Sequence, residues 1–173
     1  MTENKNRLGV CCFFGHRKIK QSQGLNDKLQ KIIEDLVVKE HVRIFLFGSK
    51  SEFNNLCYRI VTKLKAKYPF IKRIYVRAEY PNINDDYKNY LLQYYEDTYF
   101  PEQISKAGKA VYIERNYEMI DKSSFCVVYY DNSYIPQEGR PKNPLGNHPK
   151  SGTKTAYEYA LKKGVYIINI LES

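Results

Sequence analysis

Apolar runs alternate with amphipathic stretches along the chain. Five runs are rich in apolar residues, and the first of them is almost continuously apolar, which is typical of a strand buried on both faces of a parallel sheet. They cover 8–14, 42–47, 71–76, 125–130 and 165–170. Between them, apolar residues recur every three or four positions, the spacing of one helix face. These stretches cover 25–36, 53–64, 87–95, 115–122 and 155–163. The alternation predicts an α/β fold with a doubly wound, mostly parallel sheet of about five or more strands and helices on both faces.

Several polar residues and glycines follow directly on predicted strands. Gly15, Gly48 and Asp131 come after the first, second and fourth runs, and Glu79 follows shortly after the third. Because doubly wound sheets bind ligands at the carboxyl ends of their strands, we expect one site at this edge. Asp131 and Glu79 are candidates for binding ribose hydroxyls. A carboxylate in this position is also able to act on a ribose as an acid or base.

One turn near the end of the chain has the properties of a phosphate site. Ser151, Gly152, Thr153 and Lys154 open the last amphipathic stretch. The start of a helix presents unpaired backbone N–H groups and the positive end of the helix dipole. We therefore predict that this turn binds a phosphate, with the N–H groups near Gly152 as donors.

Two further turns are candidates for the same ligand. In the first, Arg17 would fork onto a phosphate while His16, after Gly15, would hydrogen-bond the phosphate or a ribose. In the second, Gly48 before Ser49 would allow a ligand to approach the backbone closely. Both also have a simpler interpretation as ordinary turns between a strand and a loop.

Charge and cysteine content limit the classes of partner. The 173 residues carry a formal net charge of +9, which favours an anionic partner or simply keeps the protein in solution. The four cysteines lie in apolar runs without metal-ligand or redox spacing, so we expect neither a metal nor a disulfide. The start of the chain has no apolar signal segment, and no stretch has the length of a membrane span. These features predict a cytoplasmic protein that does not bind membranes.

The length fits one domain spanning 1–173. Within it, the proline-rich segment 131–150 is expected to be a long irregular loop or lid over the phosphate turn.

The order of short motifs resembles the SLOG superfamily, which unites Smf/DprA-type DNA-processing proteins with the LOG phosphoribohydrolases. More closely, it resembles the YpsA-like branch of small bacterial proteins. The matching segments are 15–17 (GHR), 47–53 (FGSKSEF), 97–102 (DTYFPE), 114–120 (ERNYEMI) and 151–153 (SGT). The resemblance implies a Rossmann-like fold that binds nucleotide derivatives such as ADP-ribose or NAD. It also implies that Arg115 and Asn116 face the ligand, that no cofactor is required, and that the protein is a homo-oligomer.

The chain departs from the enzyme pattern at one position. The phosphoribohydrolases carry a Gly-Gly-x-Gly-Thr-x-x-Glu motif whose glutamate takes part in cleaving the N-glycosidic bond. Aligned on Gly152 and Thr153, that glutamate falls on Ala156. Glu158 comes two residues later on another face of the helix, where it would form a capping box with Thr155. The departure favours binding without this hydrolysis.

The leading hypothesis is a non-catalytic sensor, carrier or sequestering protein for an ADP-ribose-like or NAD-like ligand. Arg17, Arg115, Thr153 and Lys154 would contact phosphates, and an aromatic ring within 87–95 would stack on the base. One alternative is a nucleotide or NAD-derivative N-glycosidic hydrolase. The second is a protein that binds single-stranded nucleic acid, which the net charge supports.

Overall fold

Six parallel strands form the centre of the molecule. A computed structural model describes residues 9–78, 85–104, 108–133 and 151–172. The strands are β1 (Val10–Gly15), β2 (Ile44–Phe47), β3 (Lys72–Val76), β4 (Asp97–Tyr99), β5 (Phe125–Tyr129) and β6 (Tyr166–Asn169). The helices are α1 (Gln23–Val38), α2 (Glu52–Lys67), α3 (Asp85–Leu91), α4 (Val111–Asp121) and α5 (Gly152–Lys163). The predicted α/β, doubly wound fold is confirmed, and every strand pair is parallel.

The strand order places a switch point beside the first strand. The order is β4-β3-β2-β1-β5-β6, so the chain builds outward from β1 and then crosses back to β5 on its other side. At such a point the loops after the two neighbouring strands leave toward opposite faces and open a crevice. Gly15, Gly48 and Asp131 all lie at this carboxyl edge, as predicted.

The first strand contributes to two separate hydrophobic cores. Successive side chains of a strand point to opposite faces. Cys11 and Phe13 therefore pack under α1 and α2, while Cys12 and Phe14 pack under α4 and α5. Both cores are closed, because Phe13 and Cys12 are 0 % exposed. Burial on both faces explains why this strand is apolar without interruption.

Serines begin three of the helices. Ser22, Ser51 and Ser151 precede α1, α2 and α5, and each hydroxyl accepts the backbone N–H three residues later. This bond satisfies one of the orphan donors of the first turn. The predicted capping box of Thr155 and Glu158 is wrong, since α5 already begins at Gly152. Thr155 lies inside the helix, where its Oγ1 donates to the Ser151 carbonyl at 3.1 Å.

The sequence pattern missed β4. This strand has three residues at the edge of the sheet, and only Thr98 among them is buried. It therefore lacks the apolar run by which the other strands were recognised. Just before it, Glu96 binds the guanidinium of Arg73 through two oxygens at 2.9 and 3.1 Å. Burial opposes ionisation of this carboxyl, but the bonds from Arg73 lower its pKa to about 2.

The cysteines are buried in the strands and in α2. Cys11, Cys12, Cys57 and Cys126 are free thiols, and burial raises the pKa of Cys11, Cys57 and Cys126. Across the described residues, no cluster of three or more histidine, cysteine or acidic side chains is suited to a metal ion. None of the helices in that part of the chain has the length and apolar character needed to cross a membrane.

Candidate functional site

A cleft of about 730 Å³ opens at the carboxyl edge of the sheet. Its walls come from the loops after β1 and β2, from β3, and from the first turns of α4 and α5. The lining residues are Phe14, Gly15, His16, Arg17, Lys18, Gly48, Ser49, Lys50, Ser51, Tyr75, Tyr112, Arg115, Asn116, Ser151, Gly152 and Thr153. Ten of the eleven residues predicted to bind a ligand or its phosphates are among them. The volume lies within the usual range for small-molecule sites.

Gly15 and Gly48 bring the walls of the cleft together. A Cβ on Gly15 would lie 2.3 Å from Cγ of Phe53, in the first turn of α2. A Cβ on Gly48 would lie 2.8 Å from both Cδ of Arg115 and Sδ of Met119, on α4. Each glycine therefore lets a helix pack directly on the end of a strand. The Cβ position of Gly48 is filled by Arg115 and Met119, while Gly48 still lines the cleft, so close approach of a ligand to its backbone stays a prediction.

Arg115 is a buried cation that ties two strands to α4. Its side chain is 5 % exposed. Its Nη1 donates to the carbonyl of Gly48 after β2, and at 3.4 Å to the carbonyl of Val76 at the end of β3. Its Nε donates to Oδ1 of Asn116 at 2.9 Å. The positive charge of Arg115 therefore has a fixed position in the wall of the cleft. Its bonds to the carbonyls of Gly48 and Val76 also join the ends of β2 and β3.

His16 connects the two strands that flank the switch point. Its Nε2 accepts the backbone N–H of Asp131 at 2.9 Å, so the proton of the neutral ring is on Nδ1. The ring is 2 % exposed, and burial lowers the pKa of His16 from its usual 6.5. Asn169 fixes the same loop from the other side, because its amide binds both the N–H and the carbonyl of Tyr130. The residues after β5 are thus held from β1 and from β6.

The start of α5 faces the cleft with backbone donors. The N–H of Lys154 donates to the Ser151 hydroxyl at 3.0 Å, and the N–H of Thr155 donates to the Ser151 carbonyl at 3.0 Å. The N–H groups of Gly152 and Thr153 precede these and find no acceptor within the helix. A Cβ on Gly152 would meet no atom of the described residues within 4 Å, so none of them covers this end of the helix.

The rim of the cleft is cationic. Arg17, Lys18 and Lys50 line it and are exposed. The loop that carries Arg17 is held against the start of α2 by two hydrogen bonds to Glu52. The Arg17 carbonyl accepts the N–H of Glu52, and Oε2 of Glu52 accepts the N–H of Ile19. The described lining residues include no aspartate or glutamate. Cations and backbone donors therefore dominate, and the cleft is suited to an anion.

Three predicted residues do not contribute side chains to the described lining. Lys154 is on α5 but is not among the lining residues. The Asp131 carboxylate accepts bonds from the N–H and hydroxyl of Ser133 at 2.9 and 2.6 Å, which lower its pKa. Only its backbone reaches the site, through His16. Glu79 lies outside the described residues, as does most of the predicted loop or lid 131–150.

The aromatic residues of the cleft are not those that the sequence suggested. The stripe within 87–95 lies beyond the cleft lining, and its Tyr95 packs on Phe47 and Tyr58 in the core under α2. Tyr75 and Tyr112 line the cleft instead. Tyr112 comes one helical turn before Arg115, and that spacing is the only signal in the sequence by which it was recognisable.

Replacing His16 by glutamine is expected to remove part of the pH dependence of stability. Because the folded pKa of His16 is lowered, its contribution is complete above the unfolded value near 6.5 and is lost as the pH falls below that value. Glutamine keeps an acceptor without titrating. Urea unfolding at pH 7.5 and pH 5.0 should show a smaller loss for His16→Gln than for the wild type. His41→Asn, at an exposed histidine, should lose as much stability as the wild type.

The fold is similar to that of a solved DNA-processing protein. DNA processing protein A from Helicobacter pylori, whose structure is described with a mode of binding single-stranded DNA, superposes with a TM-score of 0.54 at 11 % identity. The alignment covers 94 % of this chain and 65 % of that one. At this identity the likeness shows the fold alone. No protein-family model and no curated protein sequence matches the chain.

Proposed function

We propose that the cleft binds a nucleotide-derived small molecule through its phosphates, an ADP-ribose-like or NAD-like compound being the best fit. The proposal includes membership of the SLOG superfamily and its YpsA-like branch. The observation that carries it is the start of α5, where the N–H groups of Gly152 and Thr153 border an open, cationic cleft. Such a helix start favours an anion through both its donors and its dipole.

More than one phosphate fits this arrangement. The turn at Gly152 is one phosphate-binding subsite, called the phosphate seat below. The exposed side chains of Arg17, Lys18 and Lys50 line the same cleft on the loops after β1 and β2. A single phosphate has room for only a few of these groups, whereas a diphosphate is able to reach both sides. The volume of about 730 Å³ also accommodates a nucleoside beside the phosphates.

A binding role without hydrolysis is supported by the position of Ala156. This residue, which aligns with the glutamate of the phosphoribohydrolases, is 1 % exposed and packs in the core under α5. A glutamate introduced at this position would have to bury its carboxylate in this core, which is unfavourable. We therefore favour a sensor, carrier or sequestering protein over a hydrolase.

Gly152→Asp tests the phosphate seat. An aspartate in the first turn of a helix is favourable for the helix, so stability should be unchanged or up to about 1 kcal/mol higher. The same charge would repel a phosphate at this turn. We expect the affinity for ADP-ribose, measured by calorimetry, to fall about 30-fold or more, equivalent to about 2 kcal/mol.

Gly24→Asp is the matched control, since it makes the same change in the first turn of α1 away from the cleft lining. Gly24→Asp should leave the affinity for ADP-ribose unchanged. The proposal fails if wild-type protein binds none of ADP, ADP-ribose, NAD and pyrophosphate, or if Gly152→Asp binds them normally. Mass spectrometry of small molecules released from the denatured protein would identify a ligand that co-purifies.

Single-stranded nucleic acid is the second candidate. It is favoured by the net charge of +9 and by the DNA-binding description of the protein with a similar fold. A labelled oligothymidylate should then bind with an affinity that falls steeply between 50 and 200 mM salt. Competition by ADP-ribose at low concentration would instead favour the small-molecule site.

A further inference from the structure

Tyr112 is an exposed aromatic ring in the wall of the cleft. It lies in the first turn of α4 and is 56 % exposed, whereas Phe14 and Tyr75, which are also among the described lining residues, are 4 % exposed. A large ring that is left in water inside a concave site retains most of its apolar area for a ligand to cover.

The ring is next to a cation that cannot move freely. The guanidinium carbon of Arg115 lies 5.8 Å from the Tyr112 ring centroid, within the range of a cation–π contact. Arg115 is itself held by the carbonyls of Gly48 and Val76. One neighbour of the ring is therefore fixed before any ligand arrives, which lowers the entropy that binding against the ring would cost.

Asn116 lies four residues after Tyr112 on α4, a spacing that shares one helix face, and it lines the same cleft. Its Oδ1 accepts Arg115 Nε at 2.9 Å, and this bond sets the orientation of the amide. Nδ2 supplies the donor N–H groups of this side chain, which lines the cleft. An amide N–H₂ group recognises acceptor atoms, such as ring nitrogens and carbonyl oxygens on the edge of a nucleobase.

We propose that Tyr112 and Asn116 form the base seat of the cleft, in which a purine stacks on Tyr112 and Asn116 Nδ2 donates to an acceptor on the base edge. This inference rests on the proposed function and adds a base subsite to its phosphate seat. We choose a purine because its two rings offer more stacking area and polarizability than the single ring of a pyrimidine.

Calorimetry with ADP, UDP and pyrophosphate tests the base seat. For the wild type we expect ADP to bind more tightly than UDP, and UDP more tightly than pyrophosphate. Tyr112→Ala should weaken ADP binding about tenfold or more, within the range for loss of one base stack, and pyrophosphate binding less than twofold. Tyr112→Phe should stay within about twofold of the wild type for all three.

Tyr90→Ala is the matched control. Tyr90 is 54 % exposed on α3 and does not line the cleft, so its removal should change none of the three affinities. If the wild type binds ADP and pyrophosphate equally, or if Tyr112→Ala binds ADP normally, the base seat is overturned while the phosphate seat stands. If the wild type binds none of the probes, the proposed function falls and the base seat with it.

Discussion

Gly15→Ala is expected to lower the free energy of unfolding by about 3 kcal/mol, at the upper end of the usual cost of overpacking a core. The new Cβ would lie 2.3 Å from Cγ and Cδ1 of Phe53 and 2.4 Å from its Cβ. These atoms are the root of a ring that is 0 % exposed, so rotation of the side chain does not relieve the clash. Urea unfolding followed by circular dichroism measures the change.

Gly24→Ala provides the control for this substitution. The nearest atom to its Cβ, Ser22 Oγ, is at 3.9 Å, so alanine in α1 should be neutral or stabilising by up to about 1 kcal/mol. A double variant with Phe53→Ala should cost clearly less than the sum of the single changes, because the clashing ring is gone. Additive costs would show that the contact between Gly15 and Phe53 is not the cause.

Arg115→Met is expected to cost about 3 kcal/mol of stability. Methionine fills much of the volume but removes the guanidinium from the carbonyls of Gly48 and Val76, and Gly48 then keeps only the long bond from the Tyr75 hydroxyl at 3.5 Å. Each buried acceptor that loses its donor costs about 1–3 kcal/mol. The variant should also bind the anionic ligand more weakly, because the cation in the cleft wall is removed and the end of β2 is no longer fixed.

Lysine at the same position should recover little of this stability, since an ammonium group lacks the planar fork that reaches Asn116 and both carbonyls. Arg59→Met, at an exposed arginine of α2, should change stability by less than about 0.5 kcal/mol. A lysine variant as stable as the wild type would show that the planar fork of Arg115 is not required at this position.

The fold was largely predictable because the central strands β1 and β5 are buried on both faces. The runs that became β1, β2, β3, β5 and β6 are rich in apolar residues, and the helices between them have one apolar face. The strand β4 was missed because an exposed edge strand needs only one buried residue, Thr98. The start of α5 was placed too late, since Ser151 is equivalent to Thr155 as a sequence signal for a cap.

The position of the site was easier to predict than the role of each residue. Topology brings the ends of parallel strands to one edge, so Gly15, Gly48 and the Gly152 turn were predictable neighbours. Whether a glycine makes room for a ligand or for a protein side chain depends on contacts far apart in sequence. Gly48 and Arg115 are separated by 67 residues, and no local pattern reports their contact.

The shared use of β1 by both cores has a consequence for synthesis on the ribosome. Cys12 of β1 and Phe125 of β5 are separated by 113 residues. At about 5–20 residues per second, roughly ten seconds pass between the translation of these two residues. During this interval α1 and α2 are able to cover one side of the nascent sheet, while Cys12 and Phe14 on the other side lack β5 and α5, which come later in the chain. The half-covered sheet is therefore the species on which a holdase chaperone would act.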